Sequence, residues 1–283
     1  MTYETIAVKR ISGALGAEIS GIDLSQKLDD QSIGEIRKAL VENQVVFFRD
    51  QRLTPDQHLA FGRRFGELQI HEFVAGKEDN AEILEVRKEA DETRNFGGGW
   101  HTDVSYLERP SLGSVLYAQE VPAVGGDTLF ASQYLAYDTL SDGMKEMLDG
   151  MTAIHSARRP YGLNAMSRYA AGERSMKYLY SENAHGEVEH PVIRTHVETE
   201  RKCLYVNGTF TIRFKDMSEE ESAPLLNYLY QHAVRPEFTC RFRWEKGSIA
   251  FWDNRCVQHN AINDYHGERR VMHRVTIEGE RPV

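Results

Sequence analysis

Residues 111–132 of the chain read SLGSVLYAQEVPAVGGDTLFAS, two short runs of β-forming residues separated by a proline and two glycines. Such runs, bounded by turn residues, are typical of strands rather than helices. Similar runs recur along the chain: QVVFFR, AEILEVR, TAIHSA, PVIRTH, KCLYVN, TCRFRW, SIAFWD and RVMHRVTIEG. This number of short strands predicts a β-sandwich or barrel.

Helix signals are few and lie mostly near the N-terminus. Residues 28–44 carry apolar side chains at helical spacing, and Thr54 with Pro55 resembles an N-cap followed by proline at the first helical position. Ser218 and Glu221 form a capping box ahead of a third apolar stripe. Because these helices flank the strands and do not alternate with them, we expect a mainly β fold with flanking helices. The predicted architecture is a double-stranded β-helix (jelly roll), not a doubly wound parallel sheet.

No linker, repeat or composition shift marks a domain boundary, so residues 1–283 are predicted to form a single domain. The formal net charge of −9 argues against a nucleic-acid or anionic-membrane partner, because both would be repelled on average. No apolar run approaches the ~18 residues of a membrane span. The three cysteines include no CxxC pair, which argues against a disulfide framework and predicts a cytoplasmic protein.

The segment 95–106, NFGGGWHTDVSY, contains a candidate metal site. If it is a strand, His101 and Asp103 point to the same face and can reach one ion; the alternative is a hydrogen-bonded pair at a strand end. His259, after a downstream β-run, is the best third ligand. Two histidines and a carboxylate leave three octahedral positions open, which suits Fe(II) with a bidentate ligand and O2. A catalytic zinc can use the same ligands, so a hydrolase stays open.

The run RVMHRVTIEG carries two arginines. As a strand it would project Arg270 and Arg274 to one face, their Cα atoms roughly 13 Å apart at about 3.3 Å per residue. The planar guanidinium suits a carboxylate or sulfonate, so two anions could be held. The alternative is a solvated basic face on a terminal strand.

Several dispersed motifs occur in one order: LGAEISGIDLS, WHTDVSY, GGDTLFAS, HPVIRTH, WDNRCVQH and RRVMHRVTI. Over nearly the whole chain this pattern resembles the taurine dioxygenase and aryloxyalkanoate dioxygenase family of Fe(II)/2-oxoglutarate-dependent oxygenases. The resemblance implies an enzyme that uses Fe(II), 2-oxoglutarate and O2 to hydroxylate a small anionic substrate, a taurine-like sulfonate or an aryloxyalkanoate, and decarboxylates 2-oxoglutarate to succinate. It also implies a homo-oligomer, either a dimer or a tetramer.

The resemblance assigns roles residue by residue. It implies that the iron ligands are His101, Asp103 and His259. It implies that Thr128 and Arg270 hold the distal carboxylate of 2-oxoglutarate. It implies that the substrate is contacted by His71, by the backbone at Val104, and by Arg274, which would hold its anionic group.

Two departures from the taurine enzymes remove polar groups: Val74 stands where they have a tyrosine, and Gly97 where they have an asparagine. The resemblance then implies a larger or less polar substrate. The glycines at 97–99 could leave room at the mouth of the site, or could form a mobile turn chosen for its backbone freedom. A metal-dependent hydrolase and a non-catalytic jelly-roll binding protein remain as alternative functions.

Overall fold

The computed structural model describes residues 3–169 and 175–283. Its strands are β1 (Ala7–Arg10), β2 (Ala17–Ser20), β3 (Val45–Phe48), β4 (Leu68–Gln69), β5 (Leu84–Lys88), β6 (Gly113–Glu120), β7 (Thr128–Ser132), β8 (Thr152–Ser156), β9 (Glu187–Pro191), β10 (Ile193–Thr195), β11 (Lys202–Leu204), β12 (Thr211–Phe214), β13 (Thr239–Phe242), β14 (Ile249–Asp253), β15 (Val257–Ala261) and β16 (Arg270–Ile277). Its helices are α1 (Asp30–Asn43), α2 (Pro55–Arg63), α3 (Gln133–Asp138), α4 (Asp142–Leu148), α5 (Arg158–Tyr161), α6 (Leu163–Tyr169) and α7 (Glu219–Ala233), with 3-10 turns at Glu182–His185 and Pro236–Phe238.

The described strands form one large sheet and several smaller ones. The large sheet has the order β1-β2-β3-β14-β6-β16-β4, and β5 also pairs with β16. Only its β2–β3 pairing is parallel. Three-stranded sheets have the orders β13-β7-β15 and β12-β8-β9, and β10 pairs with β11. The prediction of a mainly β fold with flanking helices is confirmed.

The side chains of β3 alternate between two apolar layers, as the pleat of a strand requires. Phe47 points toward the β13-β7-β15 sheet, where its ring stacks on Phe242 with centroids 4.0 Å apart and meets the edge of Phe130 at 5.6 Å. Phe48 points to the opposite face and meets Phe61 of α2. The large sheet therefore packs against a second sheet on one face and against helices on the other.

We expect Phe47→Ala to lower the free energy of unfolding by about 3 to 5 kcal/mol, because it removes a large side chain from between two sheets. Phe47 is fully buried. Chemical denaturation monitored by circular dichroism would measure the change. The control is Val124→Ala, since Val124 is 77% exposed and surface substitutions usually change stability by less than about 0.5 kcal/mol. Equal stability of the two variants would contradict the assigned packing.

The three predicted helices are confirmed as α1, α2 and α7. The Thr54 side chain accepts from the backbone N–H of Gln57, and that of Ser218 accepts from Glu221, so both predicted caps are formed. The short helices α3 to α6 were not predicted, because a helix of four to seven residues is too short to show a repeating apolar pattern. Every helix among the described residues is too short or too polar to cross a bilayer.

Candidate active site

Three predicted metal ligands lie together in the core. One donor atom from each of His101, Asp103 and His259 can be chosen so that all lie within 4.8 Å of one another. The Oδ1 atom of Asp103 is 3.7 Å from Nε2 of His101 and 3.8 Å from Nε2 of His259. All three side chains are buried. Residues far apart in the sequence therefore present two nitrogens and an oxygen to one point.

Backbone hydrogen bonds bring the two histidines together. His259 lies on β15, and its N–H donates to the carbonyl of His101 over 2.8 Å, while the N–H of His101 donates back over 3.1 Å. The two rings are consequently neighbours, with centroids 4.2 Å apart. The Trp252 ring lies 4.6 Å from the His259 ring and supports it from behind.

The strand considered for residues 95–106 is not formed. His101 makes a single bridge to β15, and a turn follows at once. Val104 has φ of +46°, and the N–H of Leu107 donates to its carbonyl. The side chains of His101 and Asp103 therefore converge without a regular strand between them. A positive φ at a β-branched residue is strained and is tolerated where the surrounding structure imposes it.

Burial keeps both histidines neutral. It lowers the pKa of His101 and lowers that of His259 further below its ordinary value. Nδ1 of His101 lies 2.8 Å from the carbonyl oxygen of Gly99, so this nitrogen carries the proton and donates. The Nε2 lone pair of His101 is then free on the side that faces Asp103. Neutral imidazoles are the protonation state that a metal requires of its histidine ligands.

Asp103 is held as a carboxylate. Burial alone would raise its pKa, but the positive charge of Arg274 and a hydrogen bond from Ser114 lower the pKa below its usual range. Nη1 of Arg274 donates to Oδ1 over 2.8 Å. Two neutral imidazoles and one carboxylate form the mixed nitrogen and oxygen donor set of a non-haem Fe(II) site. The residues therefore fit Fe(II).

A second buried group has donor atoms equally close together, namely His196, Asp253 and Cys256. Here the carboxylate is already engaged: Nε of Arg255 donates to Oδ1 of Asp253 over 2.8 Å, and Nη2 donates to Oδ2 over 2.7 Å. His196 contacts the same carboxylate at 3.0 Å. Asp253, Arg255 and His196 thus form a buried network of hydrogen bonds.

Arg270 and Thr128 form a second buried polar site, next to the two histidines of the triad. Arg270 is 3% exposed, and its Nε and Nη2 atoms have no hydrogen-bond partner among the described residues. Burial lowers its pKa. Nε1 of Trp244 donates to the Thr128 hydroxyl oxygen over 2.9 Å, which leaves the hydroxyl proton free to donate elsewhere. A small cavity of about 30 Å³ is lined by Thr128, Arg270 and the two histidines of the triad.

A larger cavity, of about 340 Å³, opens beside the triad. His101, Asp103 and Arg274 line its floor, and His71 and Val104 also line it. Its aromatic wall consists of Phe96, Tyr161, Tyr178 and Phe210. All the residues predicted to contact substrate are thus brought to one cavity beside the predicted iron ligands, while Arg270 and Thr128 lie in the smaller cavity next to it.

His71 presents a defined hydrogen-bond donor to this cavity. The backbone N–H of Phe73 donates to its Nδ1 over 3.1 Å, so the ring proton resides on Nε2. Burial lowers the pKa of His71 to about 3, which keeps the ring neutral at neutral pH. Nε2 lies 3.5 Å from the Tyr161 hydroxyl.

Both explanations offered for the glycine run have structural support. Gly97 and Gly99 have φ of +73° and +100°, a region that glycine enters without strain. Gly97 and Gly98 also line the large cavity. A Cβ atom at Gly97 would lie 3.6 Å from Cε1 of His101, so a side chain here would project over the triad. Val74, the other departure from the taurine pattern, is fully buried and bridges to Tyr178.

Several residues at the site were not predicted. The aromatic wall comes from separate parts of the chain, and no spacing rule connects its members. Ser114 and Asn254 both contact Asp103, yet a serine in a strand and an asparagine after one have no distinctive sequence signal. The contact between Arg274 and Asp103 was also missed.

Comparison with known proteins identifies the family. Residues 7–276 match the model of the taurine catabolism dioxygenase TauD, TfdA family. An alpha-ketoglutarate-dependent sulfate ester dioxygenase from Pseudomonas putida is 36% identical over 278 residues, which cover 98% of this chain and 90% of that protein. Alpha-ketoglutarate is another name for 2-oxoglutarate.

Two solved structures are similar over almost their full length. A taurine dioxygenase from Burkholderia xenovorans superimposes with a TM-score of 0.83 at 36% identity, over 99% of this chain and 91% of that one. The AAD-2 structure in complex with Mn(II) and N-oxalylglycine has a TM-score of 0.79 at 26% identity, over 99% of each chain. These neighbours confirm the predicted double-stranded β-helix fold. The hydrolase and the non-catalytic binding protein are set aside, because the relatives are dioxygenases. The chain belongs to the taurine catabolism dioxygenase TauD, TfdA family and is a non-haem iron dioxygenase that depends on Fe(II), 2-oxoglutarate and O2.

Proposed function

We propose that His101, Asp103 and His259 hold Fe(II), and that Arg270 and Thr128 hold the distal carboxylate of 2-oxoglutarate in the small cavity behind them. The triad supports the first assignment through its close donor atoms and its neutral imidazoles. The second is supported by the buried guanidinium, whose Nε and Nη2 have no partners among the described residues, because such a group is stabilised by a bound anion.

When bound, the iron with 2-oxoglutarate and O2 supplies the oxidising chemistry, in which the cosubstrate is decarboxylated to succinate and the substrate is hydroxylated. The protein's part is ligation, orientation and exclusion of water. Arg270 and Thr128 orient the cosubstrate from its far end, and the aromatic wall keeps the substrate side of the site apolar.

The substrate that we propose is a small organic anion whose charged group binds Arg274. The observation that carries this proposal is the position of Arg274: it is 4% exposed, lines the large cavity, and lies 2.8 Å from Asp103. Its Nε atom has no partner among the described residues and remains available. His71 offers a second, neutral donor to the same cavity.

The cavity favours an anion that carries a sizeable apolar body. Its volume of about 340 Å³ and its four aromatic rings provide room and apolar contacts for a hydrocarbon or aryl group beside the anion. We therefore propose a sulfonate, an alkyl sulfate ester or an aryloxyalkanoate. Hydroxylation of the carbon that carries the sulfonate, the sulfate ester oxygen or the ether oxygen gives an unstable product. Its C–S or C–O bond then breaks to give a carbonyl compound and to release sulfite, sulfate or a phenol.

A substrate panel tests the proposal. The purified enzyme with Fe(II) and 2-oxoglutarate would be given taurine, longer alkylsulfonates, alkyl sulfates and aryloxyalkanoates, and substrate-stimulated succinate would be measured. Uncharged alcohols of the same lengths serve as controls. We expect stimulation by anions with an apolar chain or ring. Stimulation by the alcohols alone would contradict the role of Arg274.

Arg274→Gln is expected to raise the KM for the anionic substrate by roughly 10- to 100-fold, because a hydrogen bond to a charged group contributes about 1.5 to 3 kcal/mol. Glutamine keeps a donor but lacks the charge. Steady-state kinetics with varied substrate at saturating 2-oxoglutarate would measure it. The apparent affinity for 2-oxoglutarate should change little, since Arg270 is the residue proposed to bind it. A selective loss of 2-oxoglutarate affinity would instead indicate that Arg274 binds 2-oxoglutarate and Arg270 the substrate.

Three further features belong to the same proposal. The family match across residues 7–276 supports a single catalytic domain. We propose a cytoplasmic location, supported by three buried cysteines that are all free thiols. We propose a homo-oligomer, a dimer or a tetramer, on the basis of the family resemblance; sedimentation of the purified chain would test it.

A further inference from the structure

The two oxygens of the Asp103 carboxylate have different surroundings. Oδ1 faces the Nε2 atoms of His101 and His259, at 3.7 and 3.8 Å. Oδ2 points the other way and accepts a hydrogen bond from the hydroxyl of Ser114 over 2.8 Å. Oδ1 also accepts a hydrogen bond from Nη1 of Arg274 over 2.8 Å. Each carboxylate oxygen has about two acceptor sites, so Oδ1 keeps one site directed to the triad, while the hydrogen bond from Ser114 engages Oδ2 on the other side.

The position of Ser114 in the large sheet fixes its contact with Asp103. It lies on β6, is fully buried, and its backbone is held between β14 and β16, opposite Trp252 and Thr276. A serine hydroxyl has one proton to donate. That proton goes to Asp103, while the Ser114 oxygen accepts from Nδ2 of Asn254 over 3.3 Å.

Asn254 fixes both the serine and the aspartate. Its Nδ2 donates to Ser111 over 3.0 Å and lies 3.5 Å from Oδ2 of Asp103. Its Oδ1 accepts from the backbone N–H of Asp103 over 3.3 Å and from Nε1 of Trp252 over 2.9 Å. The same amide thus restrains the Asp103 backbone, its distal oxygen, and the tryptophan that supports His259.

We propose that Ser114, held in place by Asn254, is a positioning residue. Its hydrogen bond engages Oδ2 of Asp103, so that this carboxylate binds the metal through Oδ1 alone. The inference rests on the proposed metal site. A carboxylate can bind a cation through one oxygen or two, and the second mode would occupy one more coordination position. Hydrogen bonds from surrounding residues orient metal ligands, and their loss commonly costs 10- to 100-fold in metal affinity. Ser114 therefore keeps a position open at the metal.

The test compares wild type with Ser114→Ala, using Mn(II) as the probe. Free Mn(II) is titrated by electron paramagnetic resonance, and water-proton relaxation per bound Mn(II) reports how many waters remain on the ion. We expect Ser114→Ala to bind Mn(II) on the order of tenfold more weakly. We also expect lower relaxation per bound ion, because the freed Oδ2 replaces a water. Unchanged relaxation would overturn the proposal, whatever happens to the affinity.

Two further variants separate this role from packing. Ser222→Ala removes another fully buried serine hydroxyl, one that donates to the Ser218 carbonyl in α7, and it should leave Mn(II) relaxation unchanged. If Ser114→Ala does not fold, Ser114→Cys gives the same comparison, since a thiol has a similar shape but is a weak donor. A wild type that binds no Mn(II) would overturn the metal site and this inference together. A wild type that binds it while both Ser114 variants relax water equally well would overturn the inference alone.

Discussion

Arg270→Ala is expected to weaken 2-oxoglutarate binding by on the order of a hundred- to a few thousand-fold. Breaking a buried ion pair by removing one partner costs about 3 to 5 kcal/mol, and each 1.4 kcal/mol is about tenfold in affinity. In the wild type, the distal carboxylate of the cosubstrate would pair with Arg270, which is 3% exposed, so the ion pair would be buried. Calorimetric titration with 2-oxoglutarate in the presence of Mn(II), without turnover, would measure the loss.

The same variant should unfold at nearly the wild-type temperature. The guanidinium of Arg270 has two nitrogens without partners among the described residues, so burying its charge destabilises the folded protein. The substitution removes this cost but also removes the packing of the side-chain stem, and the two effects on stability oppose each other. Arg241→Ala is the control, because Arg241 is half exposed and pairs with Asp127, next to Thr128. It removes a charge from the same region but leaves Arg270 and Thr128 unchanged. If both variants bound 2-oxoglutarate as tightly as wild type, the role of Arg270 would be wrong.

Asp103→Asn is expected to abolish substrate-stimulated succinate formation and to lower metal affinity by more than about 100-fold. That figure is the upper end of the loss seen when a residue that only hydrogen-bonds to a metal ligand is replaced. The amide keeps the shape of the side chain but loses the charge that a divalent ion needs. It also leaves Arg274 without the carboxylate that now lies 2.8 Å away. Mn(II) titration and succinate assays would measure the two effects.

Glu280→Gln is the matched control for that variant. It neutralises a carboxylate whose partner, Arg194, is 1% exposed, so it likewise weakens an ion pair with a buried arginine, at a distance from the triad. Metal affinity should then stay at the wild-type level. Retained metal binding in Asp103→Asn would refute Asp103 as a ligand, and equal loss in both variants would point to general destabilisation.

Local patterns were sufficient wherever the responsible interactions are local. The caps at Thr54 and Ser218 are formed by contacts with residues three positions away, and such contacts are visible in a sequence. On β16, Arg270 and Arg274 share a face because side chains alternate in a strand. Both arginines are buried, so the alternative of a solvated basic face is wrong.

Local patterns failed at 95–106, where a strand was considered and turns with a single bridge were found. The bond that matters there joins His101 to His259, and nothing near His101 in the sequence reports it. The residues around Asp103 were missed for the same reason. Ser114 and Asn254 reach the carboxylate from β6 and from the turn after β14, two segments that become neighbours only when the large sheet assembles.

The sequence by itself determined the class of fold, the chemical types of the donors and the family. Strand periodicity and capping are properties of neighbouring residues, and the order of the motifs can be read along the chain without knowing which residues touch. Only the tertiary structure decided that three donors meet at one point, that Arg274 touches the Asp103 carboxylate, and that one oxygen of that carboxylate is engaged by Ser114. Those facts depend on pairings between distant strands, whose register is set by burial of the whole apolar core.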